Sequence, residues 1–329
     1  MQAWQLTRLG DPWDNLALRE VALPEPGPEQ IRIRVDATDL NFADILQCQG
    51  SYQVKLALPF TPGMNSAGVV TAAGPESKIQ VGARVVGPTT GPFGGYAEQA
   101  IITAAQAQLL PDGLSTMKAS AMHVTYGTAW FGLHLRGNLK AGETVLVLAG
   151  AGGVGSAAID LAKAHGCWVV AAAGGADKVS VCRDLGADEV IDYNSEDLYA
   201  RVMQMTDKRG VDVVYDPVGG AYFDVARRLV AWEGRLLVIG FASGVIPSAP
   251  ANHALVKNYS VVGVHMGGYR SHPDQTPFKR CYGELHQMLL DGRISPLVGG
   301  TIGMTGLPDA LKRLANRQTT GRIIFNPSR

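Results

Sequence analysis

The residues best suited to chemistry are three glycines in TVLVLAGAGGVGSAAIDLAKAHG, where Gly150, Gly152 and Gly155 give G-x-G-x-x-G between a strand-like run and a helical one. Gly150 permits a tight turn, Gly152 lets backbone approach a pyrophosphate, and Gly155 lets the helix pack closely on its strand. The helix N-terminus then offers N–H groups to an anion. An isolated match fits an ordinary tight turn equally well. Here six strand-and-helix units follow one another, and that context points to a dinucleotide site.

Which dinucleotide is decided at the end of the second strand, where an NAD site places a carboxylate about 20 residues on to hold the ribose 2′-OH. That position falls in AAAGGADKV, with Gly174 and Gly175 at the strand end and no carboxylate before Asp177. Asp177 is equally well placed to cap the next helix. Lys178 follows it. A small, uncharged turn beside a lysine suits a 2′-phosphate and so favours NADPH, the alternative being a solvated lysine on a helix surface.

The elements that must position these residues show a change of rhythm. Up to about Asp112, short β-type runs (LALREVALP, QIRIRVDAT, SAGVVTAAG, ARVVGPTT, YAEQAIIT) are divided by turn residues, which predicts a β-rich domain. From Ala141 to His265, the runs TVLVLA, WVVAAA, EVIDY, VDVVYD, RLLVIG and SVVGVH alternate with helical segments. Such alternation needs crossover connections and predicts a doubly wound parallel sheet. The predicted division is 1–122, 123–265 and a segment 266–329 that returns to the first domain. The last run, in NYSVVGVH, would leave an uncovered sheet edge.

Composition narrows the partners. The 329 residues carry 29 Lys and Arg against 29 Asp and Glu, which leaves no electrostatic footprint for nucleic acid or an anionic membrane. The first residues, MQAWQLTRLG, lack a signal-peptide pattern, and no stretch has the length and apolarity of a membrane span, so the expectation is a soluble, cytoplasmic protein. Cys48, Cys167, Cys182 and Cys281 lie far apart without a C-x2-C pair and read as reduced, mostly buried thiols.

A series of motifs runs in order along nearly the whole chain: LNFADILQCQGSY (40–52), PFTPGMNSAGVV (59–70), VTYGTAW (124–130), AGAGGVG (149–155), LGADEVIDY (185–193), VVYDPVGG (213–220), VIGFASG (238–244) and TGRIIF (320–325). In these the chain resembles the zinc-free quinone oxidoreductase (zeta-crystallin-like) branch of the medium-chain dehydrogenases/reductases. The resemblance implies an α/β protein with a GroES-like substrate domain interrupted by a Rossmann domain, and an active site in the cleft between them. It also implies NADPH-dependent reduction of quinones or α,β-unsaturated carbonyls.

Zinc alcohol dehydrogenases of the same superfamily polarise oxygen with a metal held by Cys, His and a further Cys or carboxylate. Here Asn41 stands where the first cysteine is expected. Met64 and Asn65 follow Gly63 where Gly-His-Glu would continue, and the structural-zinc lobe is missing. No metal ligand is therefore assigned. Hydride addition to a quinone or enone leaves charge on a delocalised oxygen, which modest hydrogen-bond donors can support.

By the resemblance, Asn41 and Tyr52 line the cleft near the nicotinamide and donate to the acceptor oxygen. The alternatives are that Asn41 fixes a loop and that Tyr52 is a packed turn aromatic. Thr128 resembles a position close to the nicotinamide, or else packs inside its helix, and Asp44 orders its loop. Gly153 and Val154 would meet the pyrophosphate, and Gly174, Lys178 and Tyr193 the 2′-phosphate. Phe241, Ala242, Ser243, Val264 and His265 would lie along the nicotinamide, with His265 equally readable as a surface or dimer-edge residue. Arg322 would reach the phosphates. Leu46, Tyr52, Met64, Trp130 and Met266 would make an apolar cleft for a small-molecule acceptor.

Two other readings remain open at this level. Coenzyme A thioesters would want basic residues at the cleft mouth, for which Arg270 and Lys279 are candidates. A non-enzymatic NADPH-binding protein would keep the glycine turn without turnover. The resemblance implies a homodimer joined along the edge near Ser260–His265.

Overall fold

Burial alternates along Gln30–Asp39, with Ile31, Ile33, Val35 and Ala37 turned inward, the mark of a strand covered on one face. Thr144–Leu148 is instead buried at every position, as a parallel strand must be when helices cover both sides of its sheet. These two patterns belong to two separate units. The computed structural model describes every residue except Ser271, and the chain divides into Met1–Val124 with Leu297–Arg329, and Thr125–Pro296.

The first unit contains β1 (Gln2–Leu6), β2 (Leu16–Glu20), β3 (Gln30–Asp39), β4 (Asn65–Ala73), β5 (Arg84–Pro88), β6 (Gln99–Thr103) and β7 (Gln108–Leu109). The second contains β8 (Thr144–Leu148), β9 (Trp168–Ala173), β10 (Glu189–Asp192), β11 (Val211–Asp216), β12 (Val230–Val238) and β13 (Ser260–Gly263). The chain then returns to the first unit with β14 (Val298–Ile302) and β15 (Arg322–Phe325).

In the first unit one sheet runs β14-β15-β3-β4-β5-β7, with β6 also paired to β3, while β1 and β2 form a separate antiparallel pair. Ile31, Ile33, Val35, Val70, Val85 and Ile102 fill one core. Trp4, Leu40, Ile45, Tyr96, Leu311 and Phe325 fill another, so the returning C-terminal strand supplies part of the interior it joins. In the second unit the order is β10-β9-β8-β11-β12-β13, and every neighbouring pair is parallel. The sequence order reverses between β8 and β11, the switch point at which doubly wound sheets bind ligands. The expected fold class, a β-rich unit plus a doubly wound parallel sheet, is what the chain adopts.

The expected division needs one correction. Residues 266–296 belong to the second unit, and only Leu297–Arg329 returns to the first. The helix Thr276–Leu290 buries Phe278, Cys281, Tyr282 and Leu285, a single face at helical spacing. Phe278 packs near Phe131, and Glu284 accepts from Trp130 Nε1 at 2.7 Å, both partners in the second unit. None of the helices among the described residues is long and apolar enough to cross a membrane.

Candidate functional site

In the second unit, the glycine turn, the Gly174–Gly175 turn and the loops after β11, β12 and β13 all leave the carboxyl ends of parallel strands, so topology collects them along one edge. The turn after β8 is the tightest. A Cβ on Gly155 would stand 2.2 Å from the Ala149 carbonyl oxygen, and one on Gly150 would stand 2.8 Å from Cys182 Sγ. A Cβ on Gly152 would meet only the Ala149 oxygen, at 3.2 Å. Gly150 and Gly155 therefore answer to packing inside the protein, and Gly152 to approach from outside. The helix Gly153–Ala164 has no side-chain cap and no acidic residue in its first turn, which leaves the amides of Gly153, Val154 and Gly155 suited to an anion.

At the end of β9, a Cβ on Gly174 would come 2.6 Å from Cε2 of Tyr193, so the tyrosine ring is seated against the turn. Gly175, at φ +90°, precedes the helix Ala176–Asp184 and donates to Asp192 Oδ1 at 2.9 Å. Asp177 lies exposed in the first turn, not at the cap that the sequence suggested for it. Lys178 follows, half-buried.

The loops after β11 and β12 run side by side. Ala242 and Ser243 donate their backbone N–H groups to Pro217 O and Val218 O at 3.1 and 3.0 Å. Asp216 holds the first of these loops by accepting from Val218 N and Gly219 N at 2.8 and 2.9 Å, and burial pushes its carboxyl above the usual range. Phe241 is exposed, and Val264 follows β13 with exposed His265 beside it. Thr128 is half-buried in the helix Thr116–Trp130. Asp216 was missed at the sequence level, although a carboxylate closing the apolar strand VDVVYD is the available signal.

The first unit holds a buried polar network around Asn41. Asn41 begins the helix Phe42–Cys48, and Asp44 completes a capping box by accepting from Asn41 N at 2.9 Å. Asp44 also accepts from Tyr96 Oη at 2.8 Å and from Met64 N at 2.9 Å, which ties the 41–44 and 63–65 segments together. Its complete burial pushes the carboxyl up to about 6, against the pull of those three donors. The second centre is Asp39, which accepts from Asn65 Nδ2 at 2.9 Å and from the guanidinium of Arg322; Arg322 Nη2 also donates to Asn41 Oδ1. Asn41 Nδ2 donates to the Asp39 carbonyl oxygen at 3.2 Å. Tyr52 is half-buried in the turn after this helix, where its N–H donates to Leu46 O at 3.2 Å.

This geometry gives Arg322 partners inside the first unit and corrects the placement expected for Trp130. Arg322, only 8% exposed, has its Nη2 on Asp39 and Asn41. Trp130 is fully buried, with Phe131 edge-on, Arg280 over its ring and its N–H on Glu284, so it lines no cleft. Leu46, Met64 and Met266 remain half-buried. Sequence reasoning missed Asp39 and Tyr96, which sit in the mixed stretches DATDLN and GGYAEQ and carry no local signal.

The donor set around Asn41 does not suit zinc. It offers two amides and a thioether, while both Asp44 oxygens and both Asp39 oxygens already accept hydrogen bonds. Cys48 is buried, and its thiol is pushed far above the usual range. Among the described residues, no group of three or more His, Cys, Asp or Glu could hold a metal ion.

Comparison with known proteins agrees with this architecture. Residues 27–112 match the alcohol dehydrogenase GroES-like domain, and residues 153–278 match the family described as zinc-binding dehydrogenase. Quinone oxidoreductase-like protein 2 of Bos taurus is 38% identical over 313 residues, covering 94% of this chain and 89% of that protein. A quinone oxidoreductase of Pseudomonas aeruginosa is 32% identical, with 98% of each chain covered. The Escherichia coli quinone oxidoreductase complexed with NADPH superposes with a TM-score of 0.90 at 27% identity, covering 99% of this chain and 100% of that one. The Thermus thermophilus quinone oxidoreductase, also solved with NADPH, gives 0.85 at 32% identity over 99% of this chain and 100% of that one. The chain belongs to the medium-chain dehydrogenase/reductase family, among its quinone oxidoreductase-like members.

Proposed function

We propose that this protein reduces quinones or α,β-unsaturated carbonyls with NADPH, without zinc. The observation that carries the reading is the company Asn41 keeps. At the positions where a metal-dependent relative would place ligands stand Asn41, Met64 and Asn65, locked into a hydrogen-bonded network, while the parallel-sheet edge keeps an open glycine turn. The NADPH complexes of the Escherichia coli and Thermus thermophilus relatives support the choice of cofactor.

NADPH supplies the hydride when bound. The amides of Gly153, Val154 and Gly155 hold the pyrophosphate, and Gly174, Lys178 and Tyr193 receive the 2′-phosphate. Phe241, Ala242, Ser243, Val264 and His265, with Thr128, flank the nicotinamide. Asn41 Nδ2 and the Tyr52 phenol donate to the acceptor oxygen, where negative charge gathers as the hydride arrives, and solvent returns the proton. Leu46 and Met64 offer apolar surface to a flat acceptor and few polar groups to discriminate with.

The protein works as a homodimer in this reading. Among the described residues β13 has no strand on its outer side, and Val261 on it (39% exposed), with Leu255 (76%) and Val256 (67%) on the helix just before it, presents apolar surface. NADPH oxidation measured with 1,4-benzoquinone, an alkyl enone and crotonyl-CoA tests the functional reading. Turnover with the first two supports it, turnover with the thioester alone moves the substrate class, and tight NADPH binding with no turnover rejects an enzyme.

A further inference from the structure

We infer that Arg322 is a positioning residue that sets which end of the Asn41 amide faces the acceptor. The inference rests on the reading of Asn41 as donor to the acceptor oxygen. The oxygen and nitrogen of an asparagine amide are nearly the same size, so its partners alone decide the orientation. A guanidinium only donates, and Arg322 Nη2 lies on Asn41 Oδ1. A backbone carbonyl only accepts, and Asp39 O lies 3.2 Å from Asn41 Nδ2.

The two contacts demand the same orientation. Turned over, the amide would set N–H against the guanidinium and oxygen against the Asp39 carbonyl, two donor or acceptor conflicts in a buried site. With the orientation fixed, one Nδ2 hydrogen is spent on Asp39 O and the other is left for a ligand oxygen. Arg322 thus turns a side chain that can accept or donate into one that presents only a donor.

The charge of this cation is met locally. Asp39 is fully buried, with one oxygen on Arg322 and the other on Asn65 Nδ2 at 2.9 Å. Arg322 can therefore sit 8% exposed beside the acceptor site without drawing an anion into it. A single nitrogen, Nη2, bridges Asp39 and Asn41. A lysine ammonium can make the same two contacts, so here the usual objection to exchanging Arg for Lys loses its force.

The test compares Asn41→Ala, Arg322→Lys and the charge-neutral pair Asp39→Asn with Arg322→Met, which avoids stranding a buried carboxylate. For each, kcat with an enone, the Kd for NADPH and the thermal midpoint are measured. Asn41→Ala should lower kcat roughly 100-fold, the scale for losing one donor to a developing oxyanion. The neutral pair should lose most of that turnover with an unchanged Kd for NADPH, and Arg322→Lys should recover most of it. Adding Asn41→Ala to the pair should cost almost nothing more, because the pair acts through Asn41.

Full additivity of the two losses, or a neutral pair with wild-type kcat, would overturn the inference while the functional reading stands. A weakened Kd for NADPH with kcat intact would also overturn it, since Arg322 would then serve the cofactor. Wild-type kcat in Asn41→Ala, or no wild-type turnover with any acceptor, would overturn the reading of function and the inference with it.

Discussion

The ring of Tyr193 occupies the space that a side chain at Gly174 would need: a Cβ there would stand 2.6 Å from Cε2 and 3.0 Å from Cζ. This contact walls the turn at the end of β9 with an aromatic ring, and Lys178 lies in the first turn of the helix that follows. Lys178→Glu should raise the KM for NADPH roughly 10- to 100-fold, the scale for losing a charge-assisted hydrogen bond and adding repulsion. The KM for NADH should hardly move. Steady-state kinetics with the two cofactors in parallel checks this, and an unchanged ratio would discredit the pocket.

The glycines of the turn after β8 should separate by function. Gly155→Ala drives a Cβ onto the Ala149 carbonyl oxygen, which is backbone and cannot swing away. That substitution should cost about 3 kcal/mol or more and show as a lowered thermal midpoint without any cofactor. Gly152→Ala meets the same oxygen at 3.2 Å and little else, so the protein should fold normally and bind NADPH more weakly. Calorimetry of the two apo variants followed by NADPH titration tells these outcomes apart.

Buried Asp44 and half-buried His134 predict opposite pH slopes. Burial raises Asp44 to about 6, so its contribution to stability is fully present below its ordinary value of 3.8 and is lost as pH rises through 6. Tyr96 donates to this carboxyl, and the nearby Asp39 charge adds to the upward shift. Burial, with His165 and Arg280 close by, lowers His134 to about 4, so its contribution is present above 6.5 and is lost as pH falls through 4. Asp44→Asn should remove the decline toward pH 7, and His134→Gln the decline toward pH 4, in thermal midpoints measured from pH 4 to 8.

The exposed edge along β13 gives a prediction about assembly. Val261→Glu with Leu255→Glu places charge where the apolar edge lies open and should convert a dimer to a monomer in light scattering at micromolar concentration. A monomeric mass for the unaltered protein would remove the proposed interface.

Much of the fold could be read from residue patterns, because the buried runs of a parallel sheet and the glycines between them are local signals. VDVVYD and TVLVLA announce themselves without any knowledge of what they touch. Partners across long stretches of chain are another matter. The helix Thr276–Leu290 shows that it buries Phe278, Cys281, Tyr282 and Leu285, but its spacing is silent on which unit it buries them in. Trp130 looks like a cleft residue until Glu284, 154 positions away, is found to satisfy its N–H.

The same limit applied to the site. Asn41 and Asp44 are three residues apart, so their capping box is visible as a motif. Arg322 lies 281 residues from Asn41, and no periodicity connects them. The resemblance implies phosphate as its partner, and the contact with the buried carboxylate of Asp39 carried no signal in the sequence.

The central claim is hydride transfer to a conjugated acceptor with no metal taking part. It is tested most directly by following NADPH oxidation with 1,4-benzoquinone and an alkyl enone, before and after exhaustive treatment with a zinc chelator. The account predicts turnover that survives chelation and falls roughly 100-fold in Asn41→Ala with the enone. Loss of turnover on chelation, restored by added zinc, would contradict it.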